Sequence, residues 1–273
     1  MAKLTATTGY FQNGMPYARF GSGSRDLVIL GGGPDFTHKP PSGLILRMML
    51  NSFRRFAEDY TVHYVSRKRG LPTDYSVTDI ANDYATMIRD ELRVPVDAIG
   101  LSSGGSYAQP LVAEHPDLVR RLVLAMSAYR LGDEAREVMR HVGDLARRGK
   151  WGAAYAAFFP KAYSSLLRKW MYKFLMWLLG SRLLGVPDSP SDGLVEIEAE
   201  DKLNFNERLR EIKVPTLVIG GDRDFFYPAD LFRETAAGIP DAKLIIYEGV
   251  GHMAMEQPQF AEDMLAFLNP TDK

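Results

Sequence analysis

The stretch Val96-Asp-Ala-Ile-Gly-Leu-Ser-Ser-Gly-Gly-Ser-Tyr-Ala108 decides the fold, because it joins a predicted strand to a predicted helix through a sharp turn. Within it, Gly100-Leu101-Ser102-Ser103-Gly104 matches the pattern Gly-x-Ser-x-Gly, with a strand over 96–99 before it and a helix over 103–115 after it. Such a turn holds the serine in a strained backbone conformation, and the two glycines let strand and helix pack closely. The helix N-terminus beneath Ser102 favours developing negative charge. The alternative is a junction whose glycines serve packing alone.

On both sides of this junction, short apolar runs rich in β-branched residues alternate with helical stretches. The predicted strands are 26–30, 61–65, 96–100, 122–126, 215–220 and 243–247, and the predicted helices are 44–58, 77–93, 103–115, 229–238 and 253–268. Nearly continuous apolar strands are typical of a parallel sheet that is covered on both faces. The alternation therefore predicts an α/β fold with a mostly parallel, doubly wound sheet. Before it, residues 9–20 are predicted to form an antiparallel hairpin that turns at Asn13-Gly14.

The alternation stops after Ser127 and resumes at Val214. The interval holds all three tryptophans, Trp151, Trp170 and Trp177, together with many Leu, Met and Tyr residues and no clear strand. Helices rich in bulky apolar residues, inserted after one strand of a sheet, are expected to cover the carboxyl end of that sheet. We therefore predict a core formed by 1–129 and 212–273 and a helical cap formed by 130–211.

The composition excludes several classes of protein. The formal net charge of −1 gives no overall field that would favour nucleic acid. The absence of cysteine rules out disulfides, thiolate catalysis and cysteine-bound metals. The N-terminus lacks the pattern of a secretory signal, and basic residues interrupt the apolar stretch 166–184 well short of the roughly 20 residues that span a bilayer. The expected location is the cytoplasm.

The serine junction also carries a resemblance. Together with Ala113-Glu-His-Pro-Asp-Leu-Val-Arg-Arg-Leu-Val-Leu124, it resembles the α/β-hydrolase family, in which A-x-x-P-x-x-V-x-x-L-V-L leads from the serine helix into the next strand. The resemblance covers nearly the whole chain except the cap. It implies that Ser102 is a nucleophile, followed along the chain by an acid and then by a histidine.

A serine hydroxyl is a weak nucleophile until a base takes its proton, and a third group must orient that base. Of the five histidines, only His252 lies after the last predicted strand, and Gly249-Val-Gly-His252 is similar to the G-x-G-H loop of the family. His252 is therefore the predicted base. His38, in the loop after the first predicted parallel strand, could instead line the mouth of the site.

The acid is expected at the end of the strand before that of the histidine, where Asp222 and Asp224 both lie. The family pattern G-x-x-D-x-x-x-P falls on Gly221, Asp224 and Pro228, so the resemblance favours Asp224. Asp222 is the reserve candidate, whose alternative role is to cap the turn.

Acyl transfer places negative charge on a carbonyl oxygen, and fixed N–H donors stabilise that charge. By the resemblance, the donors are the backbone N–H groups of Ser103 and Gly33, with Gly32 as the reserve for Gly33. Gly31 stands where the family usually has histidine, which puts the rigidity of this loop in doubt. A phosphate-binding loop is the alternative, but no Gly-Lys-Ser/Thr follows the glycines.

The predicted cap is uneven in charge: 147–187 holds eight basic residues and no acid, whereas 188–201 holds six acids and no base. The first hypothesis is that cap helices pair with each other over the site. The second is that 166–184, which is basic and aromatic, contacts a lipid surface, and the third is a subunit interface. On any of these accounts, an apolar pocket for an acyl or alcohol group is predicted to be lined by Phe158, Phe159, Trp170, Met171 and Trp177.

Together these features predict hydrolysis of a carboxylic ester, thioester or lactone of small size through an acyl-serine, with no cofactor, no metal and no nucleic-acid partner. One alternative is an aminopeptidase similar to the proline iminopeptidases, because Gly31-Gly-Gly-Pro34 resembles their loop and Glu196, Glu198 and Glu200 could hold a substrate amine. Haloperoxidase side activity and cleavage of a carbon–carbon bond next to a ketone would use the same residues. A ligand-binding relative with slow turnover is the alternative outside enzymes.

Overall fold

In the computed structural model, which describes residues 4–33, 37–185 and 190–270, eight strands form one sheet. The strands are β1 (Ala6–Tyr10), β2 (Pro16–Phe20), β3 (Arg25–Leu30), β4 (Tyr60–Val65), β5 (Val96–Leu101), β6 (Val119–Ala125), β7 (Thr216–Gly221) and β8 (Ala242–Tyr247). Their order across the sheet is β1-β2-β4-β3-β5-β6-β7-β8. Strands β1 and β2 are antiparallel to their neighbours, and β4, β3 and β5 to β8 are parallel to one another. The predicted α/β fold is confirmed.

Helices cover both faces of the sheet. They are α1 (Gly43–Ser52), α2 (Val77–Glu91), α3 (Ser103–Glu114), α4 (Asp133–Arg147), α5 (Trp151–Phe158), α6 (Leu166–Leu183), α7 (Pro190–Lys202), α8 (Ala229–Gly238) and α9 (Phe260–Leu268). Val28 and Leu30 pack with α2 and α3 on one face, whereas Leu27 and Ile29 pack with α1 and α9 on the other. Because successive side chains of a strand point to opposite faces, a strand buried on both faces must be apolar throughout.

Two predicted helices are shorter than expected. The helix predicted over 44–58 ends at Ser52, and a 3₁₀ turn over Arg54–Glu58 follows. Phe53 and Phe56 are both buried, and the three-residue repeat of a 3₁₀ turn places them on the same side. The helix predicted over 253–268 begins only at Phe260, because Pro258 has no N–H to donate and restricts the residue before it.

The four helices α4 to α7 lie between β6 and β7, where the alternation of the sequence stops. Helix α5 packs against α4 and α6, and α7 packs against α4 and reaches α2 of the core. A further 3₁₀ turn, Asn206–Glu211, leads back to the sheet. In the described part of the chain, no helix is both long and apolar enough to cross a membrane.

Strand register places the ends of the central strands side by side. Leu30 of β3 pairs with Gly100 of β5, and Gly100 pairs with Leu124 of β6. The loops that follow these strands therefore meet at one edge of the sheet, the edge at which open α/β sheets bind their ligands. The four inserted helices join the sheet at this same edge, directly after β6.

Candidate active site

Ser102 lies in the turn between β5 and α3, with φ of 53° and ψ of −124°. This left-handed φ is unfavourable for a residue with a side chain, so surrounding packing must hold it. A Cβ at Gly104 would lie 2.1 Å from the carbonyl oxygen of Leu30, and one at Gly100 would lie 2.5 Å from the Cα of Gly105. The glycines therefore serve close packing, as the sequence predicts, and that packing presents Ser102 at the sheet edge.

His252 follows β8 and reaches Ser102. Its Nε2 lies 2.9 Å from Ser102 Oγ, and its Nδ1 lies 2.7 Å from Asp224 Oδ2. A carboxylate accepts hydrogen bonds only, so Nδ1 donates its proton to Asp224 and Nε2 is left to accept from the serine hydroxyl. The histidine thus has the tautomer that a general base for Ser102 requires.

Asp224, and not Asp222, is the carboxylate that bonds to His252. The other oxygen of Asp224, Oδ1, accepts from the backbone N–H groups of Phe226 at 2.8 Å and Tyr227 at 3.1 Å. These bonds fix the carboxylate below the imidazole. Asp222 turns away, and its Oδ1 accepts from the backbone N–H of Gly249 at 2.7 Å, which matches its alternative role of capping the turn.

The glycine loop after β3 runs alongside Ser102. A Cβ at Gly32 would lie 2.4 Å from the carbonyl oxygen of Leu101 and 2.9 Å from the Cβ of Ser102, so only glycine permits this approach. Gly33 has φ of 71° and open space where a side chain would be. Both Gly32 and Gly33 line the cavity above Ser102. Pro34 and Asp35, which complete the predicted loop, lie outside the described residues.

Arg67, which no sequence pattern singled out, anchors that loop. It follows β4, is fully buried, and donates from Nη1 to the carbonyl oxygen of Gly31 at 2.7 Å and from Nη2 to that of Gly33 at 2.6 Å. A Cβ at position 31 would lie 2.9 Å from the hydroxyl oxygen of Tyr64, in the space that this side chain occupies. The loop therefore lacks the histidine of the family but is held by a buried guanidinium.

Glu196 of α7 neutralises Arg67. Arg67 Nε donates to its Oε1 at 2.8 Å, Arg67 Nη2 donates to its Oε2, and His38 Nε2 lies 2.8 Å from Oε1. Burial alone would raise the pKa of Glu196, but the charge of Arg67 and the bonds from His38 and Arg67 hold it below its usual range. His38 is buried in this network and is not among the residues that line the cavity, in contrast to the placement considered for it.

Glu200, one turn further along α7, forms a second buried tie to the core. Its Oε1 accepts from Tyr227 Oη at 2.8 Å and from Ser106 Oγ of α3 at 3.0 Å. Burial raises the pKa of Glu200, and the two hydrogen bonds only partly oppose this effect. Glu198, which lies between them in sequence, points to the surface and pairs with Arg147.

A cavity of about 530 Å³ opens over Ser102 and His252. Its wall is mainly apolar and comes from both the sheet edge and the inserted helices. The core contributes Gly32, Gly33, Leu44, Ile45, Met48, Tyr64, Leu101, Met126, Met253 and Met255. The insertion contributes Val142, Ala154, Tyr155, Phe158, Phe159, Ala162, Tyr163, Tyr172, Met176, Leu183 and Leu184.

Phe158 and Phe159 line this cavity as predicted, but the prediction that Trp170, Met171 and Trp177 line it is wrong. These three side chains point to solvent, with 72% of Trp170, 53% of Met171 and 63% of Trp177 exposed. Helix α6 turns Tyr172, Met176 and Gly180 inward instead, four residues apart on one face. Because large apolar residues occur on both the inward and the outward sides of α6, the sequence pattern does not predict which side faces the cavity.

The carboxylates suggested for binding a substrate amine are also placed elsewhere. Glu196 bonds to Arg67, Glu200 bonds to Tyr227 and Ser106, Glu198 is at the surface, and none of the three lines the cavity. Within residues 4–33, 37–185 and 190–270, no group of three or more His, Cys, Asp or Glu side chains is arranged to hold a metal ion.

The fold is that of an α/β-hydrolase. The sequence profile described as the alpha/beta hydrolase family matches residues 27–263, and the chain belongs to that family.

Individual relatives share smaller parts of the sequence. The chain is 40% identical over 78 residues to the non-heme chloroperoxidase CPO-A1 of Kitasatospora aureofaciens, a match that spans 27% of this chain and 28% of the relative. It is 24% identical over 245 residues to the pimeloyl-[acyl-carrier protein] methyl ester esterase of Nitrosomonas europaea, covering 83% of this chain and 88% of that one. Among solved structures, MGS-M2, an alpha/beta hydrolase enzyme from a Medee basin deep-sea metagenome library, has a TM-score of 0.79 at 18% identity and covers 98% of both chains.

Proposed function

We propose that this protein is a serine hydrolase that cleaves a carboxylic ester, thioester or lactone through an acyl-serine intermediate. The observation that carries the proposal is the unbroken chain of contacts from Ser102 Oγ to His252 Nε2 and from His252 Nδ1 to Asp224 Oδ2, at 2.9 and 2.7 Å. This chain ends in a strained serine that opens into an apolar cavity.

In the proposed reaction, Ser102 Oγ attacks the carbonyl carbon of the ester while its proton passes to His252 Nε2. Asp224 stabilises the resulting imidazolium without taking its proton. The tetrahedral intermediate then collapses, and His252 returns the proton to the departing alcohol oxygen. Water repeats the sequence in the second half: His252 takes a proton from water as the water oxygen attacks the acyl carbon. The bond from Ser102 Oγ to the acyl carbon then breaks, His252 returns the proton to Oγ, and the acid product leaves.

The backbone N–H groups of Ser103 and Gly33 are the proposed donors to the oxyanion, with Gly32 as the alternative to Gly33. Ser103 begins helix α3, whose dipole adds to the attraction for negative charge. Arg67 supports the second donor by holding the carbonyl groups of Gly31 and Gly33. Fixed donors of this kind each contribute on the order of 10²- to 10³-fold in rate.

The cavity supports a small apolar substrate, and residues 130–211 are the proposed cap that forms its outer wall. A volume of about 530 Å³ is within the range of small-molecule sites, and its wall offers contacts for an acyl or alcohol chain. The name of the Nitrosomonas relative, a methyl ester esterase, agrees with an ester substrate. The positions of Glu196, Glu198 and Glu200 outside the cavity argue against an aminopeptidase, which needs carboxylates at the substrate amine.

The test is hydrolysis of p-nitrophenyl esters from acetate to decanoate by the whole protein, with Ser102→Ala as the paired control. We expect turnover, a preference for one chain length, and loss of turnover in the variant. An esterase rate equal in the two proteins would contradict the proposal. Tight, saturable binding of an ester with a single turnover would instead support the slow ligand-binding alternative.

A further inference from the structure

Large apolar side chains exposed to solvent are concentrated on α6 and α1 in the part of the chain that the structure describes. On α6 they form one surface, here called the outward face, which consists of Leu166, Leu167, Trp170, Met171, Phe174, Trp177 and Leu178. More than half of each of these side chains is exposed, and Leu167 reaches 78%. Single exposed apolar residues are ordinary on a soluble surface, but a continuous row of this size marks an interaction site.

Helical geometry shows how this row is framed. At about 100° per residue, the outward face covers an arc of roughly 140° of the helix surface. Arg168 and Arg182 lie beyond one edge of the arc, and Lys169 and Lys173 lie beyond the other. The remaining arc carries Tyr172 and Met176 toward the cavity. Helix α6 is therefore amphipathic in an unusual sense, with apolar residues facing both the protein and the solvent and cations between them.

Exposed apolar residues also border the cavity itself. Leu183, near the end of α6 and on its inward arc, is half exposed and lines the cavity. In α1, Leu44, Ile45 and Met48 are likewise exposed and line the same cavity. The cavity is therefore open to the surface at apolar residues of both helices.

We propose that the outward face of α6 docks on an anionic lipid surface. Apolar and aromatic residues bordered by Lys and Arg suit the boundary between acyl chains and charged headgroups, because the rings enter the boundary while the cations reach the phosphates. Arg168 is already paired with Glu256. A second copy of the chain is a poorer fit, since a two-fold interface would bring Lys169, Lys173 and Arg182 of one copy onto those of the other.

Docking does not depend on Ser102, and only its consequence for substrate choice rests on the proposed function. If docking brings the exposed residues that line the cavity to the acyl layer, the substrate is an ester that is dissolved in that layer. The substrate class then shifts from short soluble esters to long-chain esters taken from lipid.

Tryptophan fluorescence of the whole protein reports the docking directly. Trp170 and Trp177 are largely exposed, whereas Trp151 is only 7% exposed and serves as an internal background. With vesicles of phosphatidylcholine containing 30% phosphatidylglycerol, we expect a blue shift of the emission and quenching by brominated acyl chains. Pure phosphatidylcholine is expected to bind less, because each basic residue near an anionic surface strengthens binding by about fivefold. High salt is expected to weaken the anionic binding.

Two variants separate the apolar from the charged contribution and leave both exposed tryptophans in place. Phe174→Ser/Leu178→Ser is expected to lower the bound-to-free ratio in vesicle co-sedimentation by about tenfold or more. Lys169→Gln/Lys173→Gln is expected to remove most of the preference for phosphatidylglycerol. Tyr10→Ser, which changes an exposed aromatic residue on edge strand β1, is the matched control and should bind like the original protein.

Ser102→Ala should bind vesicles as the original protein does. If the original protein bound vesicles but did not hydrolyse esters, the proposed function would be refuted and the docking would stand. The docking proposal is overturned if anionic vesicles cause no blue shift and no sedimentation. It is also overturned if sedimentation equilibrium without lipid shows a dimer that Phe174→Ser/Leu178→Ser dissociates, because a second copy would then cover α6.

Discussion

Two parts of the cavity differ in how their side chains are held. The floor is the sheet edge with Ser102, His252, Asp224 and the glycine loop that Arg67 anchors, and the roof is helix α6. In the floor, Asp224 bonds to His252 and to two backbone N–H groups, and Arg67 bonds to Gly31, Gly33 and Glu196. In the roof, α6 offers the cavity mainly apolar contact from Met176, Leu183 and the ring of Tyr172, and it leaves Trp170 and Trp177 in solvent.

This difference separates the residues that carry out the chemical step from those that select the substrate. A buried charge is fixed at one position by its partners, and removing one partner leaves the other unsatisfied. An apolar wall acts through many weak contacts, each of which can be lost without disturbing the others. Changes in the floor should therefore alter the rate of the chemical step, and changes in the roof should alter which substrate is preferred.

The largest effect is expected at Ser102. Ser102→Ala should fold normally and lose ester hydrolysis by a factor on the order of a thousand or more, because the nucleophile, base and acid act as a unit. Steady-state rates with p-nitrophenyl butyrate measure the loss, and thermal unfolding measures the fold. Ser52→Ala, an exposed serine on α1, is the matched control. Retention of more than a tenth of the rate in Ser102→Ala would place the nucleophile elsewhere.

The next largest effect distinguishes two neighbouring carboxylates. Asp224→Asn puts an amide N–H where His252 needs an acceptor and favours the wrong tautomer, so kcat should fall on the order of 10³- to 10⁴-fold. Asp222→Asn keeps an oxygen for the N–H of Gly249 and should cost less than about tenfold. Equal losses in the two variants would show that the floor does not depend on the bond between Asp224 and His252.

A third prediction concerns the support of the glycine loop. Arg67→Met should lower kcat by roughly 10- to 100-fold with a smaller change in KM, because the loop carries a donor that acts mainly on the transition state. The exposed Arg55, which pairs with Glu262, supplies the control variant Arg55→Met.

The variant Arg67→Met also leaves Glu196 buried without its cation, which could unfold the protein. Arg67→Met/Glu196→Gln removes both charges and keeps an oxygen for His38. We expect the double variant to regain thermal stability and to keep the low kcat. A double variant that regained kcat as well would show that Arg67 serves folding alone.

Two carboxylates one turn apart on α7 should respond to pH in opposite ways. Burial raises the pKa of Glu200, so its ionisation costs stability as pH rises through that pKa. Glu200→Gln keeps an acceptor for Tyr227 and Ser106 and should raise the unfolding temperature at pH 8, with the gain fading toward pH 4.

Glu196 should behave differently. Burial raises its pKa, but the charge of Arg67 outweighs this effect and leaves the pKa lowered. The free energy of unfolding of Glu196→Gln should therefore be lower by about 3 kcal/mol at pH 8, and by less as pH falls through that pKa. Melting curves from about pH 3 to pH 8 test both, because the change for Glu196 falls below the ordinary carboxyl pKa and that for Glu200 above it. Parallel curves for the two variants would refute the assignment.

The smallest effects are expected in the roof. Met176→Ala should change the preference among ester chain lengths several-fold, since each methylene contact contributes about 0.8 kcal/mol, or roughly fourfold in kcat/KM. Trp170 points away from the cavity on the same helix. Trp170→Ala should therefore keep the ratio of octanoate to acetate rates in the absence of lipid. If Trp170→Ala shifted that ratio and Met176→Ala did not, the assigned direction of α6 would be wrong.

The floor was the more predictable of the two regions. The strands and the serine turn follow from local patterns, because a turn of this kind needs its glycines within a few residues. The order of acid and base, and with it the choice of Asp224, came from the resemblance to the family. Arg67 could not be found in this way, since its partner Glu196 lies 129 residues away in sequence. The prediction for the roof failed for another reason. Periodicity identifies the inward face of a helix only when its outward face is polar, and the outward face of α6 is apolar.

The proposed mechanism requires that Ser102 form a covalent acyl intermediate, and mass spectrometry of the protein after reaction with a fluorophosphonate tests this requirement. The proposed mechanism predicts one adduct per chain, located by peptide sequencing on Ser102 and not on Ser103 or Ser106 nearby. Labelling should be absent in Ser102→Ala and much slower in Asp224→Asn. An adduct on another residue, or equal labelling of Ser102→Ala, would contradict it.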